Sequence, residues 1–505
     1  WLYGNFPSNT TLFLLPHLQK LNLAYNDFNP SKIPSEFGRF RSLFYLNLSN
    51  TGFLGEVPSQ VSHLSKLVSL DLSWIGEQLT IDKHALEGLL HNLTEVRHLF
   101  LDGMDMSSVN AHVFMNLSSS LRSLGLAGCD LQGKYPKNIF DLPNLNLLNL
   151  GINQNLNLDP LKLNQSSNLE HLDLSWTSFS TKFIDSVDNL QALKYLDLSG
   201  NSFIQGLPVS ITNLSSLEQL IISGANFSGG LPDSMGNLVS LKFLDLSNSN
   251  LSGTVPRSLG NVLQLTHLDL SMNQLSGQIP RSLGNLLQLT HLDLSWNQLS
   301  GHIPRSLGNL LQLTYLDFSQ NQLSGQIPIS LGNLLQLTDL DLSQNQLSGQ
   351  IPRSLGNLLQ LAHLDLSQNQ LSGQIPRSLG NLLQLAHLHF SQNQLSGQIP
   401  RSLGNLLQLT DLDFSQNQLS GQIPSSLGNL LQLTDLDFSQ NQLSRQIPLS
   451  ILNLTQLEYL KISENSLEGC IPDEVTALPN LIVLDLTNNL LNGTLPLWLY
   501  TAPSL

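Results

Sequence analysis

Carboxylates and imidazoles recur in this chain at a nearly constant 24-residue interval. Aspartate stands between two strand-type apolar residues at Asp71, Asp173, Asp197, Asp245, Asp269, Asp293, Asp317, Asp341, Asp365, Asp413, Asp437 and Asp485. A glycosidase needs two carboxyls with separated pKa values across a cleft. A ladder of equivalent acids facing water supplies no such pair and no convergent pocket, so the pattern reads as non-catalytic. His267, His291, His363 and His387 stand two residues before that column, on the same face, and His389 replaces one of its aspartates. Dedicated zinc sites need ligands that converge tetrahedrally. A flat repeat is not expected to provide that convergence, so no metal and no cofactor is expected. An imidazole with a pKa near 6.5 would still gain charge in acidic fluid and change the field of this face.

Other columns raise binding rather than reaction. Trp74, Trp176 and Trp296 share one wet position just after the strand, where later copies carry Gln320, Gln344 or Gln368. Tyr195 and Tyr315 add aromatics to the column that holds His291. Exposed tryptophan is enriched among interface hot spots; the competing reading is that each indole packs on its own sheet edge. Trp74, Trp176, Tyr195, His291, Asp293, Trp296 and Tyr315 are therefore the candidate partner-binding residues. Arg257, Arg281, Arg305, Arg353, Arg377 and Arg401 line one flank. They fit contact with an acidic polymer or, more plainly, a solvated charge row. A column of asparagines, including Asn297 and Asn321, is read as structural, its amides satisfying turn backbone that no sheet partner reaches. No phosphate-cradling loop, His-Glu-x-x-His motif or nucleophile elbow is present.

The elements that carry these columns follow from the leucines. In Leu289-Thr-His-Leu-Asp-Leu-Ser-Trp-Asn297, Leu292 and Leu294 alternate with His291, Asp293 and Ser295, which is strand periodicity. After each strand comes a segment such as Leu323-Ser-Gly-Gln-Ile-Pro328, where Gly permits a turn and Pro ends it. A single coil cannot cover its own leucines. Each depends on its neighbours, with roughly 1.5–3 kcal/mol from each buried leucine. About twenty coils are expected over residues 1–505 as one solenoid: diversified copies over 1–249 with an irregular coil at 70–97, near-identical copies over 250–443, and diversified copies over 444–505. Within the irregular coil, Ile81 to Leu90 reads as a short amphipathic helix.

The combined pattern Leu-x-x-Leu-x-x-Leu-x-Leu-x-x-Asn-x-Leu-Ser-Gly-x-Ile-Pro resembles the plant-specific leucine-rich repeat. The fold that this implies is an α/β leucine-rich repeat solenoid with a curved parallel sheet on its concave face, the Leu-x-Gly-x-Ile-Pro segment adding a second strand. With Leu-Asp-Leu-Ser-Trp74-Ile-Gly-Glu, the long irregular coil and Leu-Ala-Gly-Cys129-Asp-Leu-Gln-Gly, the first half resembles the Cf class of plant receptor-like proteins. That resemblance implies an ectodomain in plant defence signalling, at the extracellular side of the plasma membrane. It would bind a protein, peptide or glycan elicitor and assemble with an adaptor receptor kinase and a SERK-type co-receptor. Alternatives are a secreted inhibitor of cell-wall polygalacturonase, the ectodomain of a leucine-rich repeat receptor kinase, or a passive ice or polysaccharide binder using the Ser-Gln face.

Charge and acceptor sites agree with an extracellular assignment. The formal charge of -15 argues against nucleic acid, whose binding relies on basic residues neutralising phosphates. Asn-x-Ser/Thr acceptors occur at Asn9, Asn47, Asn92, Asn116, Asn164, Asn213, Asn226, Asn250, Asn453 and Asn492, as in a glycoprotein. In the near-identical copies that tripeptide reads Asn-Leu-Leu, which leaves either a bare docking face or a mark of duplication. Cys129 and Cys470 lie too far apart in the stack to pair and are expected to be structural. No run of roughly 20 apolar residues is present, and both capping units are missing. A fragment with its membrane anchor outside the given sequence is the expectation, and bare ends would favour aggregation.

Overall fold

The computed structural model describes residues 1–74, 79–160, 167–179, 181–203, 206–473 and 478–501. Two compact units are present, Trp1–Asn250 and Leu251–Leu505. The leucine spacing produces the same coil in each: a three-residue strand, a turn, and a return segment built on a 3₁₀ helix or a short α-helix.

In the first unit the parallel strands run from Lys20–Asn22 to Phe243–Asp245, and each pairs with the next without slippage, Leu21 opposite Leu46 and Leu46 opposite Leu70. The 29-residue step is spanned by an α-helix over Lys83–Asn92, so the predicted short amphipathic helix is present. Asp82 caps it by accepting from the Ala85 N–H at 2.6 Å, and Ala85, Leu86 and Leu89 are buried beneath it. Residues 75–78 of the irregular coil lie outside the described residues. Near the start, Phe6, Phe13, Phe28, Phe37, Phe40 and Phe53 pack ring against ring, with centroids 5.0–6.2 Å apart.

The second unit is more regular. Its strands run from His267–Asp269 to Val483–Asp485 in unbroken register. The Leu-x-Gly-x-Ile-Pro segments form the expected second parallel ladder, from Ser252–Thr254 to Leu490–Leu491. The proline that closes each segment sits at the N-cap of a 3₁₀ turn such as Arg305–Asn309, where its missing N–H costs nothing. Leu283, Leu286, Leu289, Leu292, Leu294 and Leu299 of one coil are all fully buried. Coils approach so closely that a Cβ on Gly332 would lie 2.4 Å from the Ser354 carbonyl oxygen, which is why that turn position is glycine.

The asparagine column does what its position predicts. Asn321 Nδ2 donates to the carbonyls of Leu294, Phe318 and Ser319 at 2.9, 3.3 and 3.1 Å, while its Oδ1 accepts from the Leu299 N–H at 2.9 Å. One amide therefore ties two coils together. Among the described residues, no helix is long and apolar enough to cross a membrane.

Candidate functional site

From His267–Asp269 to Tyr459–Lys461, each main-sheet strand of the second unit buries its middle leucine and leaves its first and third side chains open or half-buried. Because register is exact in the sense that equivalent residues pair, two columns run across the sheet face. The first passes through His267, His291, Tyr315, Asp339, His363, His387 and Asp411, and the third through Asp269, Asp293, Asp317, Asp341, Asp365, His389 and Asp413. Strand spacing of about 4.8 Å suits ring stacking. His267 lies on His291 at 4.1 Å, His291 on Tyr315 at 4.4 Å, and His363 on His387 at 4.5 Å between ring centroids. In the first unit Tyr195 stacks on His171 at 3.9 Å.

The acids are neither equivalent nor simply wet, which corrects the sequence expectation. Each typically folds back to accept from the residue two positions on: Asp293 Oδ1 takes the Ser295 N–H at 2.9 Å and its hydroxyl at 2.7 Å. Burial pushes the Asp293 carboxyl up to about 6, helped by the neighbouring Asp317 and Asp269 and opposed by the Ser295 bonds. Asp341 is pushed up to about 6 in the same way, with Asp365 and Asp317 beside it. At Asp365 burial again raises the carboxyl, but bonds from His389 and Ser367 outweigh it and hold it below the ordinary value. These differences arise from the bonds and burial at each acid, which periodicity alone does not distinguish.

The tryptophans divide into two kinds. All three adopt left-handed backbone, with φ of 49°, 49° and 53° at Trp74, Trp176 and Trp296, and each is about half exposed. The Trp176 ring covers Gly200 of the next coil so tightly that a Cβ there would meet it at 2.4 Å. Trp74 likewise lies over Gly103 and reaches Gly128. These two indoles pack on the coils that follow their own. Trp296 is followed at the same position by Gln320 and preceded by Met272, which is 52% exposed. It stands in the unit that also holds His291, Asp293 and Tyr315.

Sequence reasoning missed a convergence. His387, His389 and Asp411 bring one ligand atom each within 4.8 Å of one another, and His267, Asp269 and His291 do the same. Neighbouring strands thus bring together potential ligand atoms from two columns that the sequence pattern treats separately. His389 Nε2 lies 2.9 Å from Asp411 Oδ2, and its Nδ1 lies 3.8 Å from Asp365 Oδ2. The carboxylates of Asp365 and Asp411 on either side push this imidazole up to about 10. The signal was available as His-x-His on a strand, where residues two apart share a face. A cavity of about 300 Å³ borders the cluster, lined by residues that include Tyr315, Asp341, His363 and His389.

The flanks follow the repeat as well. Arg257, Arg281, Arg305, Arg353, Arg377 and Arg401 are exposed at the starts of the 3₁₀ turns. A row sequence reasoning did not single out is Leu263, Leu287, Leu311, Leu335, Leu359, Leu383, Leu407 and Leu431, each 52–55% exposed. It occupies the position of the acceptor Ser or Thr in copies such as Asn213-Leu-Ser215. Among the acceptors, Asn9, Asn92, Asn116, Asn213, Asn226, Asn250, Asn453 and Asn492 are exposed, Asn47 is half-buried on its strand, and Asn164 lies outside the described residues. Cys129 is fully buried and its thiol is pushed up to about 12 by burial, as expected of a structural cysteine; Cys470 is exposed.

Comparison with known proteins agrees with this architecture. The family description "Leucine-rich repeat region" matches residues 120–275 and 162–326, and "Leucine Rich Repeat" matches six segments between 336 and 501. Receptor-like protein 6 of Arabidopsis thaliana is 36% identical over 197 residues, 38% of this chain and 20% of that protein. The receptor-like protein Cf-9 homolog of Solanum lycopersicum is 38% identical over 152 residues, 30% of this chain and 18% of that protein. The matched stretch thus spans about a fifth of the relatives' length. Among solved structures, the plant peptide hormone receptor RGFR1 in complex with RGF2 has a TM-score of 0.73 at 30% identity, covering 100% of this chain and 82% of that one. The Arabidopsis receptor kinase HAESA, in complex with the peptide hormone IDA and the co-receptor SERK1, has a TM-score of 0.75 at 29% identity, covering 97% and 81%. Repeat, register and family matches together place this chain among the leucine-rich repeat proteins, with plant receptor-like proteins and plant receptors among those it is similar to.

Proposed function

We propose that this chain is the ligand-recognition part of a plant cell-surface receptor-like protein, acting in defence signalling outside the plasma membrane. The reading rests chiefly on one observation: the second unit presents a continuous stack of His267, His291 and Tyr315 beside half-raised carboxyls, with Trp296 exposed in the same repeats. Such a face offers aromatic contact and hydrogen-bond acceptors to a peptide, protein or glycan elicitor, and rigid aromatics carry binding energy at low entropy cost. The similarity to plant receptors solved with peptide hormones supports this class of ligand. Binding would favour assembly with an adaptor receptor kinase and a SERK-type co-receptor by adding contacts that only the assembled state makes. The candidate contacts are His291, Asp293, Trp296 and Tyr315, with Trp74, Trp176 and Tyr195 as candidates in the first unit.

The test is a surface-binding screen of secreted peptides and cell-wall glycan fragments against the secreted chain, repeated with Trp296→Ala and Tyr315→Ala. A true ligand of this face loses at least about tenfold in affinity in one of them, or about 1.4 kcal/mol, while secretion is unchanged. Unchanged affinity in both removes the face from the site. The receptor-kinase alternative is favoured by the solved structures, which include receptor kinases. Reading the transcript onward from Leu505 separates a kinase domain from a short tail, or from the stop that a secreted polygalacturonase inhibitor requires.

A further inference from the structure

His389 is the only residue that interrupts the third-position aspartates between Asp269 and Asp437, in a block whose copies are otherwise nearly identical. It is flanked in register by Asp365 on one strand and Asp413 on the other. His387, two residues earlier on the same strand, pairs in register with Asp411. We propose that His387, His389 and Asp411 form a binding site for a divalent transition-metal ion of the zinc class.

The donor set is two imidazole nitrogens and one carboxylate oxygen, a combination that zinc accepts with bonds of about 2.0–2.2 Å. All three donor atoms lie within 4.8 Å of one another. A tetrahedral ion with such bonds holds its ligand atoms about 3.3 Å apart. The 2.9 Å contact between His389 Nε2 and Asp411 Oδ2 therefore opens by a few tenths of an ångström as the ion displaces the proton held there into solvent, and His387 swings in by a side-chain adjustment. Ring orientation decides between this triad and the other. An imidazole binds a metal in its own plane, along the nitrogen lone pair, so two rings that share an ion need planes that cross. His387 and His389 stand at 82° with centroids 6.3 Å apart. His267 and His291 instead lie parallel, at 10° and 4.1 Å, and cannot both aim lone pairs at one ion. For the same reason His363, stacked on His387 at 10°, braces that ring rather than sharing the metal.

Support around the ligands matches what metal sites use. A ligating histidine commonly gives its other ring N–H to a carboxylate, which fixes ring orientation. Asp365 Oδ2 stands 3.8 Å from His389 Nδ1, on the side away from Asp411, at ion-pair rather than hydrogen-bond distance, where its charge favours this orientation of the ring. Three protein ligands leave a fourth tetrahedral position, completed by water or by a carboxylate or imidazole of a bound ligand.

The experiment is calorimetric titration of the whole secreted chain with Zn²⁺, paired with Co²⁺ absorption, in wild type, His389→Asp, His387→Tyr and His291→Tyr. The replacements copy residues that other strands of the same sheet already carry at these positions, namely Asp365 and Tyr315, so folding is expected to persist and circular dichroism checks it. The expected result is one ion per chain, a tetrahedral Co²⁺ band, and at least a tenfold loss of affinity together with that band in His389→Asp and His387→Tyr, since even outer partners of metal ligands cost about 10–100-fold. His291→Tyr should bind as wild type. Absence of saturable binding, wild-type affinity in His389→Asp, or loss confined to His291→Tyr would each overturn the assignment.

Discussion

At the scale of single residues, the asparagine column shows how one side chain serves two coils. Asn321 donates to three carbonyls and accepts from one N–H, all in the interior. Replacing it by Asp keeps the shape but removes both donors, leaving the carbonyls of Leu294, Phe318 and Ser319 short of a partner and placing a charge among them. Each buried group left unpaired costs about 1–3 kcal/mol. Asn321→Asp and Asn321→Ala should therefore each lower the denaturant midpoint strongly, with a loss of about 2–4 kcal/mol in the wild-type chain's unfolding free energy. A near-neutral Asn321→Asp would show that water, not the amide, satisfies the turn. This role was legible from the repeat, because the position recurs wherever the strand ends. The packing of Trp176 was not: it depends on a left-handed backbone at 176 and on the accident that the next coil carries Gly200 there.

At the scale of the element, the sheet face behaves as a coupled set of titrating groups. Folding raises Asp293 and Asp341 to about 6, from an ordinary 3.8, so between these values the folded chain binds more protons than the unfolded one. Their ionisation weakens the fold above about pH 6, and that penalty disappears as pH falls. His389, raised to about 10, contributes stability that is fully present below its ordinary 6.5 and is lost as pH climbs through 10. His387 is held below its ordinary value, first by burial and then by His363, and opposes the trend as pH drops through 6.5. In the first unit burial likewise lowers His98 and His171 but raises Asp102, to about 6, and Asp197, so across the chain four raised carboxyls and His389 outweigh three lowered rings. Thermal melts should give a midpoint a few degrees higher at pH 5 than at pH 8, and Asp341→Asn should shrink the difference. A midpoint that falls on acidification would show that the carboxyls are better solvated than their burial implies. Periodicity revealed the columns but not these couplings. It treats each column by itself, whereas His389 meets Asp411, a third-position residue against a first-position residue of the next strand.

At the scale of the molecule, the repeat decides where carbohydrate can sit. Attachment requires an exposed Asn Nδ2 on backbone free to enter the transferase. Asn92, Asn116, Asn213 and Asn453 meet the exposure requirement at the ends of helical return segments. Asn47 does not: it is in a strand, half-buried, and its Oδ1 accepts both the Ser49 N–H and hydroxyl at 2.8 Å. Between Leu251 and Leu452 no acceptor tripeptide occurs, and the position of its hydroxyl residue is filled by the exposed leucines from Leu263 to Leu431. Leucine in place of Ser or Thr at that position thus removes an acceptor tripeptide and adds apolar surface in the same step, repeated coil after coil. Enzymatic deglycosylation in heavy water, followed by peptide mapping of the secreted chain, should mark Asn92, Asn116, Asn213 and Asn453 and leave Asn47 unmarked. Restoring the acceptor by Leu335→Thr should add a glycan at Asn333, because the neighbouring asparagine has the same exposed setting as Asn213. If that engineered glycan leaves ligand capture intact, the leucine row is a by-product of duplication; if capture is lost while folding and secretion persist, the bare row belongs to the recognition surface.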